Sequence, residues 1–216
     1  MKTLNEVSKE LTKLGFEKGS IVETILVTRN PDGTLNPAPM GIVRIDSEIL
    51  EIRPFKSSST YHNLRLNPEA GVNVTNNPEI FYFTAFKKEN EIPFSIDNIF
   101  SLNGSDATLI VNVIDVKDFS EDRALFTTRV RSVMINNPNP KVFSRGKAAA
   151  IEATIHATRI KELLKLGLIY DAEKLMVKVY ECKDIIEKVS GSETPEKKVI
   201  NGLLKMIKGW RDALSK

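Results

Sequence analysis

One cysteine, Cys182, stands in 216 residues, so an intrachain disulfide and a Cys-rich metal centre are both excluded. It lies on the apolar side of a predicted helix with no neighbour in sequence that would stabilise a thiolate, and it reads as a small buried hydrophobe. Histidine is nearly as scarce: His62 and His156 are the only imidazoles. A zinc site would have to be completed with carboxylates, and no metal is expected. Long apolar runs are missing too. None approaches the length that crosses a bilayer, and the first residues, MKTLNEVSKELTKLGFEKG, alternate charge with leucine and lack the apolar stretch of a secretory signal. A cytoplasmic protein is expected, with no membrane partner. The chain has no GxGxxG after a strand, no GxxxxGK[ST] and no nucleophile elbow, which removes the common nucleotide-binding and hydrolase routes.

Charge is balanced overall at +3 but unevenly placed, with a net +6 over residues 141–216 and −3 over the rest. A basic tail can bind nucleic acid. Here the lysines alternate with glutamates at helical spacing and no aromatics stand among them to stack bases, so a solvated helix surface is the reading. Hydrophobic content of 41% with 27% charged residues is that of an ordinary globular protein.

In chain order, residues 3–14 form an amphipathic helix with Leu4, Val7, Leu11 and Leu14 on one stripe, expected on the surface of the sheet that follows. Ile21 to Arg29 is a strand. Asn30-Pro31-Asp32-Gly33 carries the type I turn signature and predicts a hairpin, with Met40 to Ile45 returning and Glu48 to Pro54 as a third strand. Pro37 and Pro39 then mark the entrance of the second strand, where a missing N–H is tolerated. A stiff segment of this kind also leaves backbone groups exposed to a flat heterocycle, and these residues by themselves fit both readings. A helix runs from Ser58 or Ser59 to Leu66, stopped by Asn67-Pro68, and Gly71 to Thr75 is a strand. Asn77-Pro78 opens a helix through Phe81, Tyr82, Phe83 and Phe86, whose clustered rings read as core. Residues 87–106 form a long loop, and loops of that length often close over sites. Ala107 to Val116 and Arg123 to Ile135 are long strands. Three helices follow, over Ser144 to Leu166, Leu168 to Val189 and from Thr194 with Pro195 at its first position. The pattern is a β-barrel over residues 1–140 and a helical subdomain over 141–216.

The one candidate binding motif is Lys56-Ser57-Ser58-Ser59-Thr60. It combines a cation, four hydroxyls and a helix N-terminus with unpaired amides and a positive dipole end, the ingredients of an anion site. Serine-rich starts are also ordinary helix caps, and the turn alone fits both equally.

The order is more specific than its parts: strand, turn, Asn-Pro-Ala-Pro-Met, two strands, Lys-Ser-Ser-Ser-Thr-Tyr-His-Asn-Leu, then Gly-Val-Asn-Val-Thr-Asn. It resembles the flavin reductase-like FMN-binding split-barrel superfamily. ETILVTRNPDGTLNPAPMGIVR together with FSRGKAAAIEATIHATRI is more closely similar to an archaeal domain-of-unknown-function family with that fold. The resemblance spans nearly the whole chain and implies an α+β protein, an antiparallel FMN-binding split β-barrel with a C-terminal helical subdomain. It implies that Asn36, Pro37, Ala38, Pro39 and Met40 line the flavin ring, and that Lys56, Ser58, Ser59 and Thr60, with Arg53, bind its phosphate. Asn63 and Asn76 would lie at the ribityl chain or ring edge. It further implies a homodimer with the flavin near the subunit interface, and either a flavin-dependent oxidoreductase fed by a nicotinamide or deazaflavin donor or a non-catalytic FMN carrier. In the second matching segment, Glu152, His156 and Arg159 share a helix face. With Arg145 they are a candidate polar cluster near the flavin, and equally an ordinary helix-surface network.

Overall fold

The structure, a computed structural model, describes residues 4–16, 18–19, 21–87, 91–137, 145–190 and 194–214. Its elements in chain order are α1 (Leu4–Lys13), β1 (Ile21–Arg29), β2 (Leu35–Arg44), β3 (Ile49–Ile52), α2 (Ser59–Leu66), β4 (Glu69–Val74), α3 (Pro78–Ala85), β5 (Ala107–Asp118), β6 (Ala124–Ile135), α4 (Arg145–Lys165), α5 (Ile169–Val189) and α6 (Pro195–Leu214). They form two compact units, Met1–Thr75 with Ile92–Pro140, and Asn76–Glu91 with Lys141–Lys216. The helical unit is therefore discontinuous in sequence, because α3 groups with the C-terminal helices.

The first unit is a closed antiparallel barrel in the order β1-β2-β3-β6-β5-β4, and the α+β class expected from the sequence is the one observed. Period-two alternation sends Leu26, Ile42, Leu50, Ile52, Val72, Leu109, Val111 and Phe126 into one core. Helix α1 lies on the barrel with Glu6, Lys9, Thr12 and Lys13 exposed and its apolar stripe turned inward. Its Val7 and Leu11, with Phe16 behind them, belong to the barrel core itself. Arg44 of β2 ties the helix down, donating from Nη1 to Thr12 Oγ1 at 3.0 Å and to the Phe16 carbonyl at 3.1 Å, and from Nη2 to Ser8 Oγ at 2.8 Å.

Strand β2 is longer than predicted. It starts at Leu35, and both prolines lie inside it, paired with β1 as Pro37↔Val27 and Pro39↔Ile25. The reason is the next strand. Only Ile42, Val43 and Arg44 of β2 pair with β3, so among the described residues the stretch from Leu35 to Gly41 has no strand on its second side. Two prolines in alternate positions direct their missing N–H groups the same way. The ladder to β1 runs unbroken, so that way is the open edge, where nothing is lost.

The loop expected over residues 87–106 packs, over its described part, against the outside of β4. Phe100 is buried with φ +63° and rests on Gly71, where any Cβ would lie 2.5 Å from its own. Asn73 completes the seal: its amide donates to the Phe100 carbonyl at 3.0 Å, and its Oδ1 accepts from the Leu102 N–H at 2.9 Å.

In the second unit, Gly167 with φ +74° turns α4 back into α5. The α4 face is small, with Ala149, Ala150, Ala153 and Ala157 buried against Met176, Val179, Cys182 and Ile186 of α5. The aromatic helix α3 contributes core, as expected: Phe86 is buried and its ring lies 5.8 Å from that of Trp210. Among the described residues, no helix is long and apolar enough to cross a membrane.

Candidate functional site

Helix α2 begins where β3 runs out, at the mouth of the gap beside β2. Ser58 is its N-cap, and its hydroxyl is fully committed, accepting from the Tyr61 N–H at 3.2 Å and donating to the Phe55 carbonyl at 2.7 Å. Ser58 therefore shapes the turn. The next two amides, of Ser59 and Thr60, have no acceptor among the described residues. With the positive end of the α2 dipole behind them they are donors for an anion. Ser57 and Ser59 are exposed and Thr60 is buried at the start of the helix.

The cations of the turn come with partners that lie far away in sequence. Lys56 Nζ is 2.7 Å from Asp118 Oδ1 at the tip of the β5–β6 hairpin. The hydrogen bond and charge of Lys56 hold the Asp118 carboxyl below the usual carboxylate range. The Lys56 N–H donates to the Asp122 carbonyl at 2.8 Å, and Phe55 bridges to Arg123. Arg53 lies over the Phe119 ring at 4.5 Å and its Nη2 meets Glu51 at 2.6 Å. Its Nε is buried with no hydrogen-bond partner among the described residues, the kind of orphaned donor that a ligand acceptor would satisfy. Asp118, Phe119 and Arg123 were not singled out from the sequence. A hairpin tip of ordinary polar composition carries no local sign that it will meet a turn more than sixty residues upstream.

The β2 segment divides. Asn36 and Pro37 are buried, while Ala38, Pro39 and Met40 are half-buried along the open edge. The Asn36 amide donates to Thr28 Oγ1 at 3.2 Å, and the Asn63 amide donates to the same hydroxyl at 3.0 Å and to Asn30 Oδ1 at 2.8 Å. Thr28 thus joins the start of β2 to α2, so the strand edge and the helix N-terminus belong to one rigid wall. In this arrangement the Asn36 and Asn63 side chains build the wall.

The remaining sequence-selected residues belong to the helical unit. Asn76 is half-buried just before Asn77, which caps α3 by accepting from the Glu79 N–H at 3.0 Å. Arg145 opens α4. His156 is buried in α4, with Nε2 3.1 Å from Glu152 Oε1 and Nδ1 without a partner, while Arg159 is exposed. Burial is the main reason His156 resists protonation, against the pull of Glu152. Among the described residues, no three His, Cys, Asp or Glu side chains are grouped to hold a metal.

A family model described as the N-terminal domain of a protein of unknown function, DUF447, matches residues 22–137, and a second DUF447 model matches residues 144–201. Among solved structures, an FMN-bound protein from Methanosarcina mazei, described under the same family, is 25% identical. The match covers 90% of this chain and 98% of that one, with a TM-score of 0.71. The flavin reductase HpaC complexed with NADP+ is 20% identical over 61% of this chain and 89% of its own, at a TM-score of 0.48. An FMN-binding protein from Thermus thermophilus with bound p-hydroxybenzaldehyde is 15% identical over 59% and 81%, also at 0.48. The last two likenesses are too slight to carry a conclusion.

Proposed function

Because the chain belongs to the DUF447 family, we propose that it is an FMN-binding protein, a flavin-dependent oxidoreductase of the flavin reductase type working in an archaeal cytoplasm. The observation that carries this reading is the meeting of two unsatisfied features in one wall. The Ser59 and Thr60 amides await an anion beside Lys56, and among the described residues the β2 edge from Ala38 to Gly41 has no strand on its second side. A phosphate attached to a flat heterocycle meets both demands, and the FMN-bound Methanosarcina mazei relative supports the choice.

In this reading the first-turn amides, Lys56 and the Thr60 hydroxyl hold the phosphate. The edge at Ala38, Pro39 and Met40 orients the ring, and Arg53 Nε supplies a buried donor to it or to the phosphate. Asn36 and Asn63 keep strand and helix in register. Bound FMN supplies a ring able to accept and return one or two electrons, so the protein needs no acid or base of its own for hydride chemistry. We take the electron donor to be a nicotinamide or a deazaflavin, and the working unit to be a homodimer with the flavin near the subunit interface.

Titration of purified protein with FMN, followed by flavin fluorescence, tests the binding. Replacing Lys56 and Thr60 together with alanine should weaken it by about 2 to 4 kcal/mol, since the lost contacts are charge-assisted. Equal affinity in that variant places the phosphate elsewhere. Anaerobic mixing of the loaded protein with NADH, NADPH or a reduced deazaflavin then separates two activities. Bleaching of the flavin supports the oxidoreductase, and a spectrum unmoved by all three donors leaves a carrier.

A further inference from the structure

The lysine of the phosphate cradle already faces an anion, and it comes from the chain itself. The β5–β6 hairpin folds its tip onto the turn before α2, fixed there by the Lys56 N–H on the Asp122 carbonyl at 2.8 Å and by Arg123 Nη1 on the Arg53 carbonyl at 3.0 Å. So anchored, it sets Asp118 Oδ1 2.7 Å from Lys56 Nζ. Nothing else requires that carboxylate there. Its side chain is 84% exposed and makes no contribution to a core. The neighbouring acids have other occupations: Asp122 accepts from Ser120 Oγ at 2.6 Å, and Glu51 takes Arg53.

We propose that Asp118 is an affinity- and specificity-setting residue of the site: its carboxylate competes with the flavin phosphate for Lys56, so that binding is an exchange of one anion for another. The proposal rests on the FMN reading. Exchange has two consequences. The phosphate gains less than a bare ammonium would give, because the Lys56–Asp118 pair must open first. The cradle is also less attractive to anions that have no ring to place along β2, since such an anion must displace Asp118 and has only the first-turn amides to offset that cost. A flavin without phosphate does not engage the exchange at all.

The test is a titration of the full-length protein and its Asp118→Asn variant with FMN and, separately, with riboflavin, each at low and high salt. Asparagine keeps the shape and removes the charge at an exposed position outside any core, and thermal unfolding of the variant checks that its fold is unchanged. The exchange requires FMN to bind Asp118→Asn about 2- to 5-fold more tightly, the range for losing one exposed competing ion pair. Riboflavin affinity should stay within about twofold, and the FMN gain should shrink at 1 M salt, where the Debye length is about 3 Å. In a Lys56→Met background the gain from Asp118→Asn should vanish. Unchanged or weaker FMN binding by Asp118→Asn overturns the proposal, as does an equal gain for riboflavin or a gain that survives Lys56→Met. Failure of the wild-type protein to bind either flavin has a different signature and overturns the FMN reading together with it.

Discussion

Gly71→Ala offers the sharpest test of how the barrel wall is assembled. Gly71 lies within β4, paired with Val27 on one side and Ile110 on the other, so its backbone cannot retreat. A methyl group there would sit 2.5 Å from Phe100 Cβ and 2.6 Å from the Phe100 carbonyl oxygen, about an ångström closer than ordinary contact. Two responses are open. Keeping the loop in place overpacks the site, at about 1 to 3 kcal/mol. Releasing it exposes the Phe100 side chain, about 2 to 3 kcal/mol, and breaks the two hydrogen bonds to Asn73, about 1 kcal/mol each. The first route is cheaper. The stiffer unfolded chain of the alanine variant offsets about 0.4 to 1 kcal/mol of the cost by either route, since it has less entropy to lose on folding. A net loss of about 1 to 2 kcal/mol is expected in urea unfolding.

A second substitution isolates the cause. Glycine at position 100 removes the Cβ contact and adopts φ +63° without strain, while the contact with its carbonyl oxygen at 2.6 Å remains, so Gly71→Ala should cost less, though still something, in a Phe100→Gly background. A cost below about 0.5 kcal/mol in the parent protein, or an equal cost in both backgrounds, would refute the reasoning.

Asn63→Ala should destabilise the barrel by about 1 to 3 kcal/mol in chemical unfolding, because it strips donors from the buried Thr28 hydroxyl and from Asn30. For His156 the sign follows from burial, which lowers its pKa from 6.5 in the folded state, with Lys178 and Arg159 adding to burial and Glu152 and Glu181 opposing it. Between the two pKa values the unfolded chain binds more protons. Stability should therefore be level with respect to this group above about pH 6.5 and fall as pH drops below it, and unfolding curves of His156→Gln should lack that component of the fall.

Period-two alternation, turn chemistry and capping are local, and they place most elements of this chain without reference to the fold. The strand from Ile21 to Arg29, the cap at Ser58, the stop at Asn67-Pro68 and the three C-terminal helices all follow from neighbours a few residues apart. The aromatic helix was legible as core for the same reason. The second strand was cut short because prolines at 37 and 39 argue against a strand unless one of its edges is open, and an open edge is a property of the sheet.

The sequence by itself therefore determined the inventory of elements, the absence of disulfide chemistry and the presence of an anion-ready helix start, because each depends on composition or on short-range spacing. Tertiary structure decided which of the serines is spent on the cap, that Thr28 joins Asn36 to Asn63, and that Asp118 reaches Lys56. Those pairings depend on strand register and hairpin closure, which bring together residues tens of positions apart and leave no mark in the local pattern.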